Sequence, residues 1–161
     1  MKTLAFALSA VAALLVSIPL CAVADDETNK PIVLELKDFK LPTEKADLFN
    51  YSEGEQKLSL YTNGKVESKF KVPAAGDYEI VIRATGDAAM NEGAKFRLAI
   101  DDKAVGKETE VTADESKEYK FTSTLKPGEH TLAIEFTNDV YKEGEYDRNL
   151  YLRAASLKKV K

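Results

Sequence analysis

The chain has 161 residues, one cysteine, one histidine and no tryptophan, and its 23 Lys and Arg against 27 Asp and Glu give a formal net charge of −4. That length suits a single domain behind a targeting segment. The acidity is mild and dispersed, which disfavours nucleic-acid binding, since that needs a clustered basic surface. A single cysteine excludes any disulfide within the chain.

The first residues read as a targeting segment rather than as part of a fold. Lys2 gives a positive start, and Leu4 to Leu20 then runs apolar except for Ser9, Ser17 and Pro19. Ala22-Val23-Ala24 places small residues where a signal peptidase reads, and Asp25 begins a polar stretch. This layout predicts a signal peptide over 1–24, cleaved after Ala24, and export to the periplasm or beyond. The apolar run is short for a membrane-spanning helix and Pro19 interrupts it, so no stable membrane span is expected. Cys21 offers a lipoprotein alternative, but Leu20 stands where a small residue is usual. After cleavage no cysteine would remain, leaving the core, hydrogen bonds or a metal to hold the fold.

Residues 25–30 form a polar leader, and residues 31–161 carry a period-two pattern. Leu58–Tyr61 and Val66–Val72 flank Asn63-Gly64, a pair that predicts a hairpin because both residues accept positive φ. In Asp77–Ala84 the residues Tyr78, Ile80, Ile82 and Ala84 share one face. Residues 87–94 read as a polar loop with room for one helical turn. Phe96, Leu98 and Ile100 alternate next, and the Asp101-Asp102 turn follows. Tyr119 and Phe121 repeat the pattern. Pro127-Gly128 then opens a strand in which Leu132, Ile134 and Phe136 alternate. Alternation with one apolar face marks antiparallel strands packed on a core from one side. About ten short strands with regular turn signals predict an all-β fold, a two-sheet antiparallel sandwich of jelly-roll type.

Catalysis finds little material. His130 is the only histidine and reads as a strand residue beside a turn. No phosphate loop, serine elbow or thiol nucleophile is present in residues 25–161, and no carboxylate pair stands out for glycoside hydrolysis. The chain therefore reads as a binding domain, not an enzyme. One segment is distinctive, running from Thr137 through Asn138, Asp139, Tyr141, Tyr146, Asp147, Arg148 and Asn149 to Tyr151. It joins two strands through a loop dense in oxygen donors of the kind that calcium takes. Its tyrosines could serve as platforms for a ligand. A solvated hairpin in which Asp and Asn merely form turns is the alternative.

Gly128–Asp139 followed by Asp147-Arg148-Asn149-Leu150-Tyr151-Leu152 resembles the calcium-dependent xylan-binding carbohydrate-binding modules of families 36 and 60. These are β-sandwich jelly rolls, and similar modules occur in planctomycete surface proteins. Phe70-Lys71-Val72-Pro73 with Gly76-Asp77-Tyr78 resembles the family's hairpin, and Leu98–Gly106 its following strand and turn. The resemblance implies a loop-bound calcium that also takes neighbouring sugar hydroxyls as ligands. It implies Asp139 and Asp147 as carboxylate ligands, Asn149 as an amide ligand and Arg148 as a ligand through its backbone carbonyl. Asn138, Tyr141 and Tyr146 fall on the ligand-binding side, with Asn138 better suited to shaping the loop. Related modules carry further acids on the first and last strands, where this chain has Glu35-Leu36-Lys37 and Arg153. That exchange predicts loss of a second, structural calcium, with Glu35 paired to Lys37 or Arg153. The expected partner is a polysaccharide or oligosaccharide. The alternative is a structural domain of the cell envelope that has lost the sugar and binds an envelope protein partner.

Overall fold

The structure is a computed structural model, and it describes residues 30–112 and 115–160. The signal peptide expected over 1–24, with Cys21, and the expected leader up to residue 29 lie outside the described residues.

Two antiparallel sheets face each other. The first has the order β2 (Phe49–Ser52), β3 (Lys57–Leu60), β13 (Leu150–Lys159), β5 (Gly76–Gly86) and β9 (Lys117–Leu125). β1 (Ile32–Leu34) lies along the later half of β13, on the edge whose earlier half pairs with β3. The second has the order β4 (Gly64–Val72), β10 (Gly128–Phe136), β6 (Lys95–Ile100) and β7 (Lys103–Ala104), with β8 (Thr109–Glu110) also on β6. A separate two-stranded ribbon, β11 (Tyr141–Lys142) with β12 (Tyr146–Asp147), stands on the connection from β10 to β13. The expected jelly-roll sandwich is what forms, with thirteen strands among the described residues, four of them only two residues long.

The alternating residues build the core. Tyr78, Ile80, Ile82 and Ala84 of β5 and Leu150, Leu152, Ala155 and Leu157 of β13 are buried, and so are Phe96, Leu98 and Ile100 of β6 and Leu132, Ile134 and Phe136 of β10. Tyr119 and Phe121 close one side, both meeting Phe96 edge-on. Each large side chain so buried contributes about 1.5–3 kcal/mol. Tyr78 also donates its hydroxyl to the Ala74 carbonyl at 2.8 Å, pinning the bend that leads into β5.

Several turns act differently from their sequence signals. Asn63-Gly64 does not close a hairpin, because β3 lies in the first sheet and β4 in the second. Gly64 is needed there for space: a Cβ on it would sit 2.4 Å from Cζ of Phe49. The Pro73 to Gly76 segment likewise carries the chain from β4 to β5 between sheets rather than folding a hairpin. Asp101-Asp102 does make a tight hairpin, with φ of 50° and 61° and Ile100 opposite Lys103. That is the backbone demanded by a two-residue turn matched to strand twist. Residues 87–94 hold no helical turn; Ala89 and Glu92 exchange backbone hydrogen bonds around Met90 and Asn91, both at positive φ.

The segment from Glu35 to Lys37 and the Arg153 position also differ from expectation. Glu35 follows β1, and Leu36–Asp38 form a 3-10 turn rather than strand. Arg153 sits where the register of β13 shifts against β5, and it donates to the Glu55 carbonyl at 3.0 Å. Among the described residues Glu35 forms an ion pair with neither Lys37 nor Arg153; the guanidinium donates to the Glu55 carbonyl instead.

Candidate functional site

Three connections between strands meet at one end of the sandwich. They are residues 61–63 from β3 to β4, 87–94 from β5 to β6, and 137–149 from β10 to β13. Hydrogen bonds tie them together. The Asp139 N–H donates to Asn63 Oδ1 at 2.7 Å, and the Asp87 N–H donates to the Asn149 carbonyl at 2.9 Å. Asn138 spans two strands' ends: its Oδ1 accepts from the Lys95 N–H at 2.6 Å, and its Nδ2 donates to the Gly93 carbonyl at 3.0 Å. Both ends of that amide are thus engaged in shaping the loop.

Arg148 is buried, a position that a guanidinium tolerates only when its donors are matched. Its side chain donates to the carbonyls of Ala89 at 2.5 Å, Asn138 at 2.6 Å and Glu92 at 3.1 Å. The Glu92 carboxylate lies 3.2 Å from its Nη1. Its own N–H donates to the Val140 carbonyl at 3.0 Å. Arg148 therefore locks the loop of 87–94 to the loop of 137–149, a role carried by its side chain.

On either side of it, Asp147 and Asn149 are joined, Asn149 Nδ2 donating to Asp147 Oδ2 at 3.0 Å. The same Nδ2 donates to Asp87 Oδ2 at 3.0 Å, and the Tyr151 hydroxyl donates to that oxygen at 2.5 Å. Burial, followed by this bond to Asp87, holds the Tyr151 hydroxyl well above its usual range. Burial also raises the Asp139 carboxyl; a hydrogen bond with Thr62 works against the shift and the Asp147 charge adds to it.

Two oxygens in this cluster are buried with no hydrogen-bond partner, Asp139 Oδ1 and Asn149 Oδ1. A buried acceptor left unpaired costs about 1–3 kcal/mol. Together with the neighbouring Asp147 carboxylate, these two oxygens are chemically suited to a hard cation, which takes six to eight oxygens from carboxylates, amides and carbonyls. Among the described residues no three His, Cys, Asp or Glu side chains converge as a metal cluster. The side-chain donor set consists of the Asp139 and Asp147 carboxylates and the Asn149 amide oxygen, and it fits calcium rather than a metal that prefers nitrogen or sulfur.

A groove of about 420 Å³ opens onto this cluster, lined by Leu48, Tyr61, Thr62, Asp139, Tyr141 and Asp147. Tyr141 is 65 % exposed at its edge. Tyr61 meets Tyr151 edge-on at 6.2 Å between ring centroids. Tyr146 pairs with Lys142 on the small ribbon and does not line the groove. Of the residues expected from sequence, Asp139, Asp147 and Tyr141 share the groove, and Asn149 joins them through Asp147. Tyr61, Thr62, Asn63 and Asp87 belong to the same site and were not anticipated.

Comparison with known proteins bears on the family and the fold. A family model described as Ca-dependent carbohydrate-binding module, xylan-binding (family 60), matches residues 79–161. The chain is similar in fold to the CBM36-1 domain of a multidomain xylanase from the hindgut metagenome of Trinervitermes trinervoides, with a TM-score of 0.63 at 14 % identity, covering 82 % of this chain and 99 % of that one. It is similar to a family 35 carbohydrate-binding module from Clostridium thermocellum, with a TM-score of 0.53 at 12 % identity over 80 % and 97 % of the two chains. A mannan-binding module from Man5C gives a TM-score of 0.55 at 15 % identity over 80 % and 98 %. No curated protein matches the chain by sequence.

Proposed function

We propose a function on one premise: this chain belongs to the family of Ca-dependent, xylan-binding carbohydrate-binding modules. It is a polysaccharide-binding domain, and in our reading it is exported and works without catalysis. The loop from β10 to β13 holds calcium, and the groove beside it takes a xylan-like chain. The observation that carries the reading is the pair of buried, unpartnered oxygens, Asp139 Oδ1 and Asn149 Oδ1, next to the Asp147 carboxylate.

Each residue then has a task. Asp139, Asp147 and Asn149 would hold the ion through side-chain oxygens, and Arg148 through its backbone carbonyl. Calcium, when bound, supplies open coordination positions that favour a pair of neighbouring hydroxyls on a sugar. Tyr61 and Tyr141 offer aromatic surface to the apolar faces of sugar rings. Thr62 restrains the Asp139 carboxylate. Asn138 and Arg148 keep the loop in shape, and Tyr146 stiffens the ribbon that carries Tyr141.

The test is a set of melting curves with calcium, with chelator, and with calcium after Asp147→Ala. A ligand that binds only the folded state raises stability by about 2.7 kcal/mol at a hundred times its Kd. Calcium is expected to raise the melting temperature of the parent and not that of Asp147→Ala. Affinity electrophoresis through xylan and through mannan should then show calcium-dependent retention, greater on xylan, that Tyr141→Ala weakens while leaving the calcium shift intact. Identical curves in calcium and chelator would sink the metal reading and favour a structural or protein-interacting domain of the envelope.

A further inference from the structure

We infer that Asp87 is a positioning residue for the cation site, aiming the Asn149 amide so that Oδ1 faces the ion. The inference rests on the calcium reading above.

An asparagine amide has two ends of similar size and opposite function: Oδ1 accepts and Nδ2 donates. Only one orientation offers an oxygen to a cation. Asn149 is 4 % exposed, so water does not set its orientation. Two carboxylate oxygens do, because Nδ2 lies 3.0 Å from Asp87 Oδ2 and 3.0 Å from Asp147 Oδ2. If the amide turned over, Oδ1 would face both carboxylates, a like-polarity contact on each side. Held as it is, the amide leaves Oδ1 buried and unpartnered, the state expected of an atom prepared for a ligand.

Asp147 and Asp87 are both exposed, but Asp147 alone would fix the amide poorly, since it is itself a proposed ligand. Asp87 is anchored separately. Its Oδ2 accepts from the Tyr151 hydroxyl at 2.5 Å, and its N–H donates to the Asn149 carbonyl at 2.9 Å. Tyr151 is fixed in turn by its place on β13 opposite Ser59 and Thr85 and by the Tyr61 ring. The result is a chain of contacts, Tyr151 to Asp87 to Asn149, that runs from the sheet to the donor oxygen. Gly86 supports it, because a Cβ there would fall 2.8 Å from the Asn149 carbonyl oxygen and push the backbone away. Partners of this kind behind a metal ligand typically change affinity by about ten- to hundredfold.

The experiment titrates calcium alone into the full chain by calorimetry and follows melting in chelator. Asp87→Ala should raise the calcium Kd by roughly ten- to hundredfold, and Tyr151→Phe should raise it less, because Asp87 keeps its bond to Asn149. The conservative variant Asp87→Asn keeps a side-chain oxygen that can accept from Asn149 Nδ2, and it should recover most of the lost affinity. Affinity that falls only in step with the melting temperature in chelator would mark a general loss of structure and overturn the inference. Asp87→Ala that binds calcium as tightly as the parent overturns it while the calcium reading stands. Asp87→Asn that binds no better than Asp87→Ala also overturns it. A parent that takes up no calcium overturns both.

Discussion

Replacing Arg148 with methionine removes the guanidinium while filling a similar volume, so the cost measured is mainly polar. Arg148 is 4 % exposed and donates to the carbonyls of Ala89, Asn138 and Glu92. A hydrogen bond from a charged donor is worth about 1.5–3 kcal/mol, and an acceptor left buried without one keeps its desolvation cost. The three acceptors lie on two short loops that can relax together, so the losses do not add in full. The expected loss is about 3–6 kcal/mol, set by two bonds' worth of that range. Against a typical total of roughly 5–15 kcal/mol this is a large fraction of the domain's stability. Urea denaturation followed by far-ultraviolet circular dichroism is a suitable assay. With a slope of about 1–3 kcal/mol per molar, the midpoint should fall by roughly 2 M. Arg148→Lys keeps the charge but cannot span three carbonyls, so its midpoint should lie between the two. A methionine variant within about 1 kcal/mol of the parent, at unchanged slope, would refute the view that this side chain fastens the loops.

Two further expectations concern the rest of the sandwich. His130 donates from both ring nitrogens when charged, to the Lys126 carbonyl at 2.8 Å and to Asp101 Oδ2 at 2.6 Å, and its pKa is raised from 6.5 chiefly by the Lys126 contact, with Asp101 adding to it against burial. For Asp101 burial acts to raise the pKa, but the bonds from His130 and the Thr131 N–H outweigh it and lower the value from 3.8. The imidazole contribution is complete below pH 6.5 and is lost as pH rises through the raised folded value, while the carboxylate contribution is lost as pH falls through the lowered one. Urea midpoints should therefore decline in the parent as pH rises from 6.5 through the raised folded value, and decline less in His130→Gln; equal slopes in the two proteins would reject the pairing. Gly64→Ala should cost about 1–3 kcal/mol by overpacking against Phe49, whereas Gly54→Ala, whose Cβ would meet nothing within 4 Å, should stay near neutral by thermal melting.

The core was legible in the sequence because it is written in local alternation. Tyr78, Ile80, Ile82 and Ala84 must share a side of any extended strand, whatever that strand pairs with. Partner choice was not legible. Asn63-Gly64 signals a change of direction, and that signal is the same whether the next strand joins the same sheet or the opposite one. Only contacts remote in sequence decide it, such as Gly64 opposite Phe136 and Leu60 opposite Leu150. The candidate site divides in the same way. Asp139, Asp147 and Asn149 were visible because they crowd one loop. Asn63 and Asp87 reach that loop from 76 and 62 residues away in sequence, and nothing local links them to it. A weaker signal was available: each follows the end of a first-sheet strand, and a polar residue at such a point can serve a neighbouring loop as readily as a turn. Burial of Arg148 had no sequence signal at all, since an arginine between Asp and Asn in a polar loop reads as solvated.

The run Asp147-Arg148-Asn149 gains its meaning from that burial. A loop rich in acids that was tethered only at its ends would spread under its own repulsion, and its oxygens would turn to water. Here the middle residue points into the protein and grips Ala89, Glu92 and Asn138, while its two neighbours remain linked to each other on the groove side. The arginine thus fixes the backbone from which Asp147 and Asn149 project, and its charge acts on Asp139 without satisfying Asn149 Oδ1 or Asp139 Oδ1. A loop whose only task was to turn would gain by pairing those two oxygens with a nearby donor, and Lys45 and Arg148 are both close enough to act on the Asp139 charge. The chain instead leaves them buried and unpaired, with Asp139 and Asp147 lining a groove that Tyr61 and Tyr141 also line. That combination, a rigid frame built around unsatisfied oxygens, is costly for folding alone and reasonable for a surface that completes itself with a cation and a sugar.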